Sequence, residues 1–180
     1  LDIGANIGVH SLLMARAGWE VRAFEPDPGH HARLVENLAQ HGAPVQAIEA
    51  AVSTVEGVAE FVRVAGNGTA NHLAGARDHH GKVERIQVRT LDCRPLFDWA
   101  DFAKIDCEGH EAALLVTVTR RQRCEFMVEV GSAENAAAIF AHFNGWRPMW
   151  SQASGWGRIA TLQDMPSHYR DGALFIGEKP

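Results

Sequence analysis

Residues 1–26, LDIGANIGVHSLLMARAGWEVRAFEP, decide the fold class of this chain. An apolar strand end is followed by Gly4 and Gly8, then by helix-forming residues, and then by a second strand that ends on Glu25. A glycine at a strand end lets the backbone turn sharply and approach a ligand closely, because it carries no Cβ. A carboxylate at the end of the next strand is suited to accept two hydrogen bonds from a ribose diol. Together these features predict a nucleoside-binding turn, although two glycines alone also fit an ordinary turn from strand to helix.

The glycine spacing separates two nucleoside cofactors that use this geometry. The dinucleotide fingerprint G-x-G-x-x-G requires glycines at the positions that Asn6 and Val9 occupy here. A pyrophosphate needs the middle glycine, since the backbone must come close to it. S-adenosylmethionine has no phosphate, and the D-x-G-x-x-x-G pattern of Asp2, Gly4 and Gly8 is sufficient for it. The turn therefore favours S-adenosylmethionine over NAD.

The composition predicts one domain over residues 1–180. An apolar fraction of 46% and a charged fraction of 22% are typical of a soluble globular protein. A net charge of −5 with dispersed basic residues argues against nucleic-acid binding. No apolar run is long enough to span a membrane, and no signal peptide is visible.

Cys93, Cys107 and Cys124 form no CxxC pair, which favours free thiols in a reducing, cytoplasmic compartment. The first strand looks cut short at Leu1, as in a fragment.

Strands alternate with helices along most of the chain. We predict strands at 1–3, 21–25, 45–50, 102–106 and 126–130, and helices at 10–17, 30–41, 109–119 and 133–143. Two last strands, within 145–150 and 172–179, are expected to pair antiparallel. This alternation implies an open α/β sheet with right-handed crossovers, which binds its ligands at the carboxyl ends of the strands.

The stretch 52–92 departs from that pattern and predicts an antiparallel excursion. Residues 52–64 and 83–92 alternate apolar and polar side chains, as exposed strands do. Between them, residues 66–82 are rich in Gly, Asn and His, and they predict a mobile loop that acts as a lid over the acceptor. We expect no zinc at His72, His79 and His80, because loop histidines often have no ligand role.

A second group of polar side chains follows the strand at 102–106. Lys104, Asp106, Glu108, His110 and Glu111 lie within eight positions. Asp106 stands at the carboxyl end of the strand, where a ligand is expected, and His110 is a plausible proton acceptor. Glu111 fits a helix N-terminus as well as it fits a functional role.

Two further chemical roles concern the carboxylates. Glu129, at the end of the next strand, is placed to assist the removal of a proton. Asp106, Glu108 and Glu129 also offer the hard oxygen ligands that Mg²⁺ uses, but nothing in their spacing requires a metal, and we predict none.

The segments LDIGANIGVHS, AFEPDP, AAVS, VRTLD and KIDCEGHE, in that order, resemble the FkbM-family methyltransferase domain from Leu1 to about Val130. The resemblance implies a Rossmann-like class I methyltransferase fold: a mostly parallel open sheet with helices on both faces and an antiparallel C-terminal strand pair. It implies S-adenosylmethionine as cofactor and a hydroxyl on a small molecule, glycan or secondary metabolite as acceptor. The cofactor-binding residues it implies are Asp2, Gly4, Asn6, Gly8, Glu25, Ala51, Val52 and Asp106. The reaction-site residues it implies are Asp106, Glu108 and His110. Glu129 joins them as a fourth candidate because of its place at the end of the next strand.

Two alternatives from other classes remain open at this point. One is an NAD-dependent oxidoreductase on a related sheet, which the missing middle glycine disfavours. The other is a catalytically silent adenosine-binding module of a larger protein, which the fragment-like start permits.

Overall fold

The computed structural model describes residues 1–65, 71–76, 82–178 and 180. The chain has an α/β fold and divides into two compact units, Leu1–Asp92 and Cys93–Pro180. No helix in the described ranges combines the length and the apolar character that a membrane span needs.

The N-terminal unit begins with alternating parallel strands and helices. The elements are β1 (Asp2–Ile3), α1 (Val9–Arg16), β2 (Val21–Phe24), α2 (Pro28–Gln40) and β3 (Val45–Ile48). β1 pairs with β2 and β2 pairs with β3, both parallel. The predicted order of these elements is confirmed, with ends that shift by one or two residues.

Helix α2 begins two residues before its predicted start, at a local capping signal. The Asp27 side chain accepts hydrogen bonds from the backbone N–H groups of Gly29 and His30, and Pro28 occupies the first helical turn. A proline there loses no helical hydrogen bond, because that N–H has no intrahelical partner. Leu34 and Leu38 are the buried positions of the helix, as their four-residue spacing requires.

A second sheet of the N-terminal unit is formed by β4 (Ala51–Ser53), β5 (Gly57–Val64), β6 (His72–Leu73) and β7 (Val83–Asp92). Its order is β4-β7-β5-β6, and β5 pairs antiparallel with β7 over its whole length. The antiparallel excursion is therefore confirmed. Its core contains Ala51, Phe61, Leu73 and Val88.

The loop prediction for 66–82 is wrong in part, since His72 is buried in β6 and paired with Val62 of β5. The polar, glycine-rich composition of this stretch predicts a loop and gives no local signal for the strand residues His72 and Leu73. Residues 66–70 and 77–81, which include His79, His80 and most of the predicted lid, lie outside the described residues.

The C-terminal unit is a mixed sheet with its own helices. Its elements are α3 (Cys93–Trp99), β8 (Phe102–Ile105), α4 (Glu111–Leu115), β9 (Glu125–Glu129), α5 (Ala133–Phe143), β10 (Met149–Ser151), β11 (Gly157–Arg158) and β12 (Ala173–Ile176). The order is β11-β10-β12-β9-β8. β8 and β9 are parallel, whereas β12 pairs antiparallel with both β9 and β10. The antiparallel C-terminal pair is confirmed, and the strand pairings as a whole are mixed.

Helix α4 is much shorter than the predicted helix 109–119. Gly109 has a φ of 109°, which places it outside the helix at its start. At the other end, Val116 is the C-cap, and the β-branched run from Val116 to Thr119 has low helix propensity. The Thr117 hydroxyl also donates to the carbonyl of Leu114, an alternative to continued helix.

Candidate functional site

The turn after β1 has the backbone conformation that its sequence predicts. Gly4, Asn6 and Gly8 all have positive φ, at 74°, 51° and 94°. Glycine adopts this region without penalty, and Asn tolerates it better than most other residues. The N–H groups of Gly4 and Ala5 both donate to the carbonyl of Phe24, at 3.0 and 2.9 Å. The turn is therefore folded against the end of β2.

Gly8 is required for a second reason, which is its packing against α2. A Cβ at Gly8 would lie 2.5 Å from Cδ1 of Leu34, a side chain that is fully buried. Carbon atoms do not approach so closely without displacement of one of them. The turn and α2 are thus held closer together than any side chain at position 8 permits.

Glu25 is tied directly to the turn. The N–H of Asn6 donates to Oε2 of Glu25 at 2.8 Å, and the N–H of Asp27 donates to Oε1 at 2.9 Å. The residue is only 5% exposed. The structure therefore brings together two of the predicted cofactor residues, and it shows that Asn6 acts here through its backbone.

Three other predicted cofactor residues, Asp2, Ala51 and Val52, lie in β1 and β4. Asp2 is fully buried, and its Oδ2 accepts a hydrogen bond of 2.6 Å from the hydroxyl of Ser11 in α1. Ser11 was not predicted, because a lone serine in a helical segment carries no distinctive signal. Ala51 and Val52 lie in β4, opposite Thr90 and Leu91 of β7.

In the C-terminal unit, Asp106 directly follows β8 and forms an ion pair with Lys104. The Nζ of Lys104 lies 3.3 Å from Oδ2 of Asp106, and the Lys104 side chain is only 12% exposed. β8 and β9 run parallel, so Asp106 and Glu129 lie at the same edge of this sheet. Partial burial and then the negative charge of Asp106 raise the pKa of Glu129.

The loop at 106–110, which we call the signature loop, is held by Glu111. The carboxylate of Glu111 accepts hydrogen bonds from the N–H groups of Cys107 and Gly109, all at 3.0 Å, and it is 1% exposed. Asn135 in α5 donates to Oε2 of Glu111 at 3.0 Å and to the carbonyl of Gly109 at 3.1 Å. Burial raises the pKa of Glu111, and the amide hydrogen bonds oppose this rise. These contacts support the structural interpretation of Glu111.

Asn135, which contacts this loop from α5, was not predicted from the sequence. It lies in the first turn of α5, where an asparagine is an unremarkable residue in a helical pattern. Its two contacts span 24 and 26 positions of the chain. Only the packing of α5 against α4 reveals them, so no local signal could have found this residue.

Two backbone and electrostatic features distinguish Glu108 and His110. Glu108 has a φ of 55°, a conformation that costs a non-glycine residue about 1–2 kcal/mol. Strain of this kind is often found at functional sites. His110 is the residue before α4, and burial lowers its pKa. A lowered pKa keeps the imidazole neutral near pH 7, which is the form that accepts a proton.

No group of three or more His, Cys, Asp or Glu side chains within the described ranges is arranged to hold a metal ion.

The described residues therefore form an α/β fold with a glycine-rich turn held against a buried carboxylate, and with a loop after β8 that carries acidic and imidazole side chains. The family model described as Methyltransferase FkbM domain matches residues 2–152. This match covers most of the chain, which therefore belongs to the FkbM methyltransferase family. No curated protein and no solved structure matches the chain.

Proposed function

We propose that this chain is an S-adenosylmethionine-dependent methyltransferase of the Rossmann-like class I fold. Its acceptor is a hydroxyl on a small molecule, a glycan or a secondary metabolite. The observation that carries the proposal is the contact between Asn6 and Glu25, which fixes a carboxylate beside a glycine turn in a chain of the FkbM family.

The residues of the turn fit the cofactor better than they fit a dinucleotide. The Asn6 N–H occupies the place where a dinucleotide site offers a glycine to a pyrophosphate, and here it donates to Glu25. A carboxylate can accept about four hydrogen bonds, so amide bonds and a ribose diol are compatible on the same group. Gly4, Asn6 and Gly8 would hold the cofactor through the backbone, and Glu25 through its side chain.

The candidate proton acceptors all belong to the C-terminal unit. Bound S-adenosylmethionine would supply an electrophilic methyl carbon for transfer to an oxygen. A hydroxyl becomes a better nucleophile when it loses its proton, and the neutral imidazole of His110 is suited to take that proton on a ring nitrogen. Asp106 and Glu129 are carboxylates that orient the hydroxyl or accept the proton, and Lys104 holds Asp106 in place.

Calorimetric titration of the chain with S-adenosylmethionine, S-adenosylhomocysteine and NAD tests the cofactor. We expect the first two to bind, NAD not to bind, and Glu25→Ala to weaken the binding of both adenosyl ligands. Binding of NAD alone would instead support the oxidoreductase alternative.

A methyl-transfer assay over a panel of sugars and polyketide alcohols tests the reaction. Cofactor binding without transfer to any acceptor would favour a silent adenosine-binding module. Asp106→Asn and His110→Ala should each reduce turnover, with cofactor affinity measured separately. Near-wild-type turnover in both variants would show that the assignment of these residues is wrong.

A further inference from the structure

We infer that Arg63 and Asn71 are positioning residues for the carboxylate of Glu25, and that they act through Asp27. The inference rests on the proposed function, in which Glu25 binds the ribose of the cofactor. The four-stranded sheet of the N-terminal unit thereby gains a role. It is separate from the sheet of β1, β2 and β3, and it supports the cofactor site through its contacts with Asp27.

Asp27 is the centre of the arrangement, and its two carboxylate oxygens bind different elements. Oδ1 accepts hydrogen bonds from the N–H groups of Gly29 at 2.8 Å and His30 at 3.2 Å, and so caps α2. Oδ2 accepts from Nε of Arg63 at 2.8 Å and from Nδ2 of Asn71 at 3.1 Å. Asp27 is only 1% exposed. A carboxylate buried to this extent requires such partners, because it has lost its hydration.

Asp27 transmits this restraint to Glu25 through its backbone. The Asp27 N–H donates to Oε1 of Glu25 at 2.9 Å, while the Asn6 N–H holds Oε2. Pro26 stands between the two acidic residues, and its ring fixes φ in the connection. A shift of Asp27 would therefore move one of the two amide groups that orient the Glu25 carboxylate.

Arg63 and Asn71 are themselves fixed to the four-stranded sheet. Oδ1 of Asn71 accepts a hydrogen bond of 2.8 Å from the N–H of Val64, in the last position of β5. Nη1 of Arg63 donates to Glu84 of β7 at 2.9 Å. Both donors to Asp27 thus come from a pre-arranged surface, and they lose little conformational entropy when they hold it.

The variants Arg63→Met and Asn71→Ala remove the two donors separately, and Arg63→Lys keeps the positive charge. Glu84→Gln removes the outer partner of Arg63 and tests whether that partner helps to fix the arginine. The control is Arg85→Met, which changes the same sheet without contact to Asp27 or Arg63, because it removes the exposed ion pair that Arg85 forms with Glu60 between β7 and β5. All five variants are compared with the wild-type chain by calorimetry with S-adenosylhomocysteine and by methyl-transfer kinetics.

We expect Arg63→Met to weaken S-adenosylhomocysteine binding about tenfold, and to raise the KM for S-adenosylmethionine by a similar factor. The kcat at saturating cofactor should stay within about twofold of wild type, because the substitution weakens binding of the cofactor and leaves the reacting groups unchanged. Arg63→Lys should recover part of the affinity, and Asn71→Ala should show a smaller loss than Arg63→Met. Glu84→Gln should show the smallest loss, and the control Arg85→Met should bind as wild type does.

Hydrogen exchange of the Asp27 and Gly29 amides provides a readout that needs no cofactor. Both amides should exchange faster in Arg63→Met and Asn71→Ala, and at the wild-type rate in Arg85→Met. Unchanged exchange and unchanged affinity in folded Arg63→Met and Asn71→Ala would overturn the inference. If the wild-type chain binds no adenosyl ligand, the proposed function fails, and the exchange rates still decide whether Arg63 positions Asp27.

Discussion

Gly8→Ala is the substitution whose cost can be worked out most directly from the structure. Two penalties combine at this position. An alanine at a φ of 94° suffers the left-handed penalty of about 1–2 kcal/mol. Its Cβ would also meet Cδ1 of Leu34 at 2.5 Å, and overpacking of a buried core typically costs about 1–3 kcal/mol. We therefore expect Gly8→Ala to lower the free energy of unfolding by about 2–5 kcal/mol.

Gly18→Ala separates the two penalties. Gly18 has nearly the same φ, 90°, but nothing lies within 4 Å of the Cβ that would be added there. It should therefore cost only the backbone penalty, so that Gly8→Ala is worse by about 1–3 kcal/mol.

Urea denaturation followed by tryptophan fluorescence measures both values. In a Leu34→Ala background, Gly8→Ala should lose most of its extra cost, because the clashing methyl is absent. Equal destabilisation by Gly8→Ala and Gly18→Ala would refute the packing argument.

Four further predictions concern the signature loop. Asn135→Ala should lower turnover and accelerate exchange of the Gly109 amide, since it removes two restraints on the loop; exchange at the wild-type rate would contradict this. Glu108→Gly should keep or raise the thermal midpoint, because glycine relieves the strained φ, and it should lower methyl transfer, because the carboxylate is lost; unchanged methyl transfer would contradict a role for Glu108. Because burial lowers the pKa of His110, the acid limb of kcat/KM should lie below pH 6.5 and disappear in His110→Gln. Stability linked to His110 should be complete above pH 6.5 and lost as the pH falls through that value towards the lowered pKa, a loss that denaturation of His110→Gln should not show.

Much of the fold could be predicted from local signals, because those signals and the packing agree. Helix α5 has the predicted bounds, and the structure shows why it begins there: Ser132 caps its first turn by accepting a hydrogen bond from the N–H of Asn135. Helix α4 was predicted too long, because the apolar pattern continues past Leu115 although its β-branched residues do not favour a helix. Strand β6 was missed, because its two residues gain their pairing only from β5.

The candidate site shows the same division between local and distant contacts. The turn at Gly4 and Gly8 and the carboxylate of Glu25 are separated by about one strand–helix–strand unit, so their spacing along the chain predicts their proximity. The contacts of Asp27 with Arg63 and Asn71 span 36 and 44 positions. Such contacts depend on how two sheets meet, and no pattern in one sequence specifies that. The capping role of Asp27 was not predicted either, although an acid before a proline is a local signal that could have indicated it.

Cys107 lies within the signature loop, and its surroundings affect its redox chemistry. Burial and the negative charges of Glu111 and Asp106 raise the pKa of this thiol well above its ordinary value. Burial likewise raises the pKa of Cys124 to about 12. Alkylating reagents and disulfides react with the thiolate, which these two side chains seldom form at neutral pH. The loop should therefore keep its structure under mild oxidants such as glutathione disulfide, without the protection of an added reductant.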